Sequence, residues 1–175
     1  MDGAACNFCS TAVLHMAMTF LALLLLSASP SLKDFDGTWE LDLKASSDPA
    51  AMLDRLGAPW VLKKSATSVT VTQVISSAPG SLTVEAQSAM GSRSSTQVLD
   101  GKTPKVSELF GMQARVISVF QGGEIRSTGT LELEGGPVPL SLRRTVEADG
   151  TMHLVITLAP KDEAPVSITR VFRRR

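Results

Sequence analysis

Tyrosine is missing from the 175 residues, cysteine and histidine occur twice each, and no sign of charge prevails: 17 Lys and Arg stand against 17 Asp and Glu. A neutral chain with no clustered basic excess is not a nucleic-acid binder, because phosphate neutralisation needs concentrated Lys and Arg. The closing Arg173, Arg174 and Arg175 end a strand and read as a solvated tail. Both cysteines, Cys6 and Cys9 of "CNFC", precede an apolar run, with no second pair to complete a metal or redox site. The rest of the chain therefore has no disulfide and no structural zinc, and neither a metal nor a cofactor is expected. His153 is the only histidine after residue 32, on the more polar row of its strand, where a surface role fits best. Glu132 and Glu134 share a solvent face beside "EGGP" and make no acid–base pair. No nucleophilic constellation stands out, so an enzyme is not expected. Large aromatics are scarce too, with 6 Phe and 2 Trp.

Residues 1–32 also lack Lys and Arg, and Asp2 is their sole charge. The stretch 11–28, "TAVLHMAMTFLALLLLSA", is almost continuously apolar, and "SAS" at 27–29 offers small residues suited to signal-peptidase cleavage. A secretory leader over 1–32 is the expectation, with a retained anchor as the alternative, since ~20 apolar residues span a bilayer. Secretion follows if 1–29 are cleaved as a signal peptide. An origin of translation at Met16 or Met18 would shorten the front of this segment.

The second unit, 34–175, is written as short alternating runs. In "TWELDLK" (38–44), Trp39, Leu41 and Leu43 alternate with Glu40, Asp42 and Lys44, as in a half-buried strand. "SSDPAAMLDRLG" (46–57) has a Ser or Asp cap, Pro49 in the first turn and Gly57 as the stop of a helix. "PWVLKK" (59–64) predicts a second short helix. Nine further strands are expected at 67–76, 81–89, 93–99, 105–110, 112–120, 124–133, 137–147, 151–158 and 165–174, separated by Gly-rich turns including "QGGE", "EGGP" and "EADGT". Ten strands joined by successive hairpins predict an all-β, antiparallel up-and-down barrel with a helix–turn–helix lid after the first strand. Such a barrel, with few bulky side chains to fill it, has room for a small ligand.

Alternation also places two arginines on apolar rows. Val166, Ile168, Arg170 and Phe172 share one face of the last strand; Val138, Leu140, Leu142, Arg144 and Val146 share one face of 137–147. Met152, Leu154, Ile156 and Leu158 form the apolar row between them. Enclosing a guanidinium costs several kcal/mol unless an anion offsets it, and a carboxylate does so in bidentate fashion. Glu108, in phase with Val106 and Phe110, is the acidic candidate within the chain; otherwise the anion belongs to a ligand.

"FDGTWELDLKASSDPAAMLDRLGAPWVLKKSA" (35–66) and "LRRTVEADGTMHLVITL…SITRVFRRR" resemble the opening and the last three strands of the intracellular lipid-binding proteins, the fatty-acid-binding and cellular retinoid-binding family. The resemblance implies a calycin-type barrel of ten strands under two helices, with a lipid inside and a cytoplasmic location. It also implies an acid-gripping set at Arg144, Arg170 and Phe172, where Phe172 replaces the family's tyrosine and removes a phenolic donor. The expected function is non-catalytic binding and transport of a small hydrophobic acid, fatty-acid-like, lined by Val138, Leu140, Leu142, Met152, Leu154, Ile156 and Ile168. The chain is expected to be a monomer, with membrane contact through the leader or the 46–64 lid. The alternative is a lipocalin-like barrel with a filled interior and a Glu108–arginine pair, serving as a structural or interaction module. A haem-binding barrel of the nitrobindin kind would need His153 inside.

Overall fold

The computed structural model describes residues 30–175. All of the expected leader but Pro30, Ser31 and Leu32 lies outside the described residues, as do Cys6 and Cys9. A single turn of 3-10 helix, Leu32–Phe35, leads into β1 (Gly37–Asp42), α1 (Ala50–Arg55), α2 (Trp60–Ser68) and β2 (Thr72–Ala78). Then come β3 (Ser81–Ser88), β4 (Gly91–Val98), β5 (Lys105–Leu109) and β6 (Met112–Gln121). The chain closes with β7 (Glu124–Leu133), β8 (Gly136–Val146), β9 (Thr151–Leu158) and β10 (Val166–Arg174). The ten strands form one antiparallel sheet in the order β4-β3-β2-β1-β10-β9-β8-β7-β6-β5. It is the up-and-down barrel that alternation and hairpin spacing predict, with one departure: β4 and β5 are sequence neighbours but carry no ladder between them. The barrel is nearly closed, with a seam.

The turns follow their residues. Gly122 (φ 61°) and Gly123 (φ 82°) make the β6–β7 hairpin, both in the left-handed region that a two-residue turn of this hand requires. The β5–β6 turn places Phe110 at φ 52°, ahead of Gly111. A bulky residue is a poor choice there, and its ring rests partly buried on the apolar residues below the lid. Gly129 of β7 is needed for a different reason: a Cβ there would lie 1.9 Å from the carbonyl oxygen of Arg115 on β6.

The helical segment is shorter at its start and longer at its end than the sequence suggests. Ser46 and Ser47 pair with β10 through Ser47 N–H to Thr169 C=O (2.8 Å) and Val171 N–H to Ser46 Oγ (2.9 Å), so α1 begins only at Ala50. α2 runs on to Ser68, its last hydroxyls donating back to helix carbonyls, as Ser68 does to Lys64 at 2.8 Å.

Two apolar clusters hold the interior. The base cluster joins Phe35, Trp39, Ile75, Leu82, Met152 and Phe172. Here the Trp39 indole donates to Phe35 C=O (2.8 Å), Phe35 meets Phe120 edge-on at 6.2 Å, and the Arg174 guanidinium stacks 4.4 Å over the Trp39 ring. Ser31 caps this turn reciprocally with Asp34. The second cluster, at the lid end, seats Met52 of α1 on Val116, Leu131, Leu140, Ile156 and Ile168. Each well-buried apolar side chain contributes ~1.5–3 kcal/mol to keeping these elements together.

Candidate functional site

Between the two clusters, Arg144 and Arg170 point inward as alternation predicts, at 7% and 8% exposure. They lie on one rung: Arg144 opposes Leu154, and Leu154 opposes Arg170. Two strand spacings separate their backbones by about 10 Å. Their surroundings differ. Arg144 reaches across the interior to β2, donating from Nη1 to Gln73 Oε1 at 2.9 Å with Met152 Sδ at 3.6 Å. Its Nε and Nη2 donors have no protein acceptor among the described residues, and a guanidinium carries five N–H donors in all. Burial without a counter-charge pushes it down to about 10, which leaves it charged at neutral pH and in want of an anion. Arg170 instead turns toward the lid, donating to Ala66 C=O at 3.4 Å. Burial lowers it as well, opposed by the nearby Asp48 carboxylate.

Arg144 opens onto a cavity of about 930 Å³ with Gln73, Leu142, Leu154, Ile125 and Ser127 on one side and β4 and β5 on the other. A second cavity, about 1130 Å³, lies below the lid between the α1–α2 turn, the β3–β4, β5–β6 and β7–β8 turns, and Val138. Trp60 and Val61 of α2 and Met90 of the β3–β4 turn are exposed near this opening at 68%, 63% and 66%.

Of the residues expected to line a ligand, Leu142, Leu154 and Arg144 border the first cavity and Val138 the second. Leu140, Ile156 and Ile168 are packed under the lid, and Met152 and Phe172 in the base. Phe172, 3% exposed, opposes Leu41 and Met152, where its ring fills apolar space. Glu108 pairs with Arg93 of β4 across the seam rather than with either buried arginine, and both side chains reach solvent. His153 is on the outer row, 4.0 Å from Glu147. Among the described residues no three His, Cys, Asp or Glu side chains converge as for a metal.

Gln73 is the residue that sequence reading missed. It shares a row with Val71 and Ile75, so its amide was visible as a polar interruption of an apolar face. Its partner on a strand four places away in the sheet was not.

No family model matches the chain, and no curated protein resembles it in sequence. Solved structures do resemble it in fold. The REP1-NXSQ fatty acid transporter superposes with a TM-score of 0.66 at 20% identity, covering 81% of this chain and 96% of its own. The Schistosoma mansoni fatty acid binding protein in complex with arachidonic acid gives 0.67 at 20% identity, covering 83% and 98%. Apo Caenorhabditis elegans lipid binding protein 8 gives 0.67 at 17%, covering 85% and 100%. The chain therefore has the fold of the fatty-acid-binding proteins, as its sequence implies.

Proposed function

We propose that this barrel is a non-catalytic carrier for a small hydrophobic molecule with an acid group, held by its carboxylate on Arg144. One observation carries the reading: a charged guanidinium, enclosed by the barrel and partnered only by neutral groups, faces a cavity large enough for a lipid. A carboxylate placed there would supply charge-assisted bonds to the unused donors and offset the burial of charge. That Glu108 spends its charge on Arg93 weighs against a filled, self-neutralised interior. Two proteins of like fold are by their names a fatty acid transporter and a fatty acid binding protein, which favours the same cargo here. Ligand would pass beneath the lid, where exposed Trp60, Val61 and Met90 form an apolar rim suited to membrane contact.

Titration with a fluorescent fatty acid tests the reading. Arg144→Ala should weaken binding by roughly 10- to 100-fold, the worth of one or two hydrogen bonds to a charged group. Arg170→Ala should weaken it less, because that side chain is turned to the Ala66 carbonyl. Equally weak binding by wild type and the Arg144→Ala, Arg170→Ala double variant would overturn the carboxylate grip.

A further inference from the structure

The walls of the Arg144 cavity are of two kinds. Leu142, Leu154 and Ile125 form an apolar wall on β7–β9. The facing wall is β4 and β5, and strand register shows what they turn inward. Val84 and Ala86, which continue the inward row of Leu82 on β3, oppose Ser95 and Arg93; Leu82 opposes Gln97; and Ser107 of β5 opposes the buried Ala114. Residues directly opposite in an antiparallel pair share a face, so β4 and β5 turn Ser95, Gln97 and Ser107 to the interior. The Arg93 side chain, at the end of that row, reaches out to the exposed pair with Glu108. The three inward residues border the same cavity as Arg144.

Some hydroxyls elsewhere in the sheet are matched in pairs. Ser118 and Ser127 bond each other inside at 2.7 Å, and Thr83 and Thr96 do so outside at 2.9 Å. By contrast, the side chains of Ser95, Gln97 and Ser107 make no hydrogen bond to any described residue. A saturated alkyl chain laid along them would displace their water and give nothing back, whereas a hydroxyl or keto oxygen on that chain would replace the lost bonds.

We propose that Ser95, Gln97 and Ser107 make the carrier selective for oxygenated lipid acids, which present an acid to Arg144, methylenes to Leu142 and Leu154, and a chain hydroxyl or ketone to the β4–β5 wall. The inference rests on the acid-carrier reading above and adds the class of acid.

Oleic and ricinoleic acids, which differ by one hydroxyl, are the matched probes, with affinities measured on the full chain by calorimetry. Ricinoleic acid should bind about three- to ten-fold tighter, the worth of one neutral hydrogen bond. The Ser95→Ala, Gln97→Leu, Ser107→Ala variant should lose or invert that preference and still lose affinity on addition of Arg144→Ala. If the triple variant is unfolded by thermal melting, Gln97→Leu alone should narrow the ratio. Equal affinities in wild type, with Arg144→Ala still harmful, overturn the selectivity and leave the acid carrier standing. Binding of neither acid overturns both.

Discussion

The base of the barrel and its β4–β5 side belong to one sheet and obey opposite rules. At the base, Phe35, Trp39 and Met152 are sealed from solvent at 1%, 0% and 0%, and the indole N–H has its acceptor. Along β4 the inward row carries the polar Ser95 and Gln97, and toward β5 the backbone ladder stops. The base is apolar, aromatic and knitted to the Leu32–Phe35 turn; the seam side is polar and bridged by the Arg93–Glu108 pair. The tightest aromatic packing is concentrated at the base. On the proposed carrier reading, the cavity-lined seam side is the one with polar groups to offer a guest, as expected where packing density is given up for binding.

That contrast can be broken most forcefully at Trp39. Trp39→Ala should lower the unfolding free energy by about 3–5 kcal/mol and should also disturb Arg174, read by chemical denaturation with the intrinsic signal of Trp60. A loss under about 1 kcal/mol would mean that the base is not the anchor. Next is the boundary between the regions. Ser127→Ala should cost about 1–3 kcal/mol because it strands the buried Ser118 hydroxyl, while the double Ser118→Ala, Ser127→Ala variant should regain most of that. A thermodynamic cycle of the four proteins reads the coupling.

A smaller effect lies in the loop that spans the seam at the base. There the Thr103 hydroxyl, followed by the backbone N–H groups of Thr103 and Lys102, holds the Asp100 carboxyl down to about 2. A carboxyl depressed in the folded state adds stability above its ordinary value of 3.8, and that stability disappears as pH falls toward 2. Asp100→Ala should therefore lower the melting temperature by a few degrees at pH 7, with the gap to wild type closing at pH 2. The smallest change is expected at the seam itself. Arg93→Ala should alter stability by less than about 1 kcal/mol, since the pair with Glu108 is exposed. It should nonetheless speed amide exchange in β4 and β5 while leaving β9 and β10 untouched.

Most of the fold was legible because its signals are local. "TWELDL" alternates cleanly enough to assign Trp39 to the interior, and the double glycine at 122–123 marks its hairpin without help from the rest of the chain. The same parity turned Arg144 and Arg170 inward. What alternation does not reveal is partnership. It shows β4 and β5 as strands but not that they fail to pair, and it gives no hint that Gln73 meets Arg144 or that Arg170 turns to a lid carbonyl. The extension of α2 to Ser68 was hidden for another reason: "SATS" reads as a strand start by propensity. In the structure Ser65, Thr67 and Ser68 bond back to carbonyls of their own helix, Ser65 to Leu62 at 3.0 Å.

A sheet that stops short of meeting itself has two raw margins, each with peptide groups free to recruit a strand from another molecule. Here one margin is β4, spelled "GSRSSTQV", with four residues of Ser or Thr and a single apolar side chain at its far end. Such a border gives a neighbouring copy little grease to stack on and a charged arginine to displace. The hydroxyl-rich strand that borders the cavity is thus also a poor template for fibre growth.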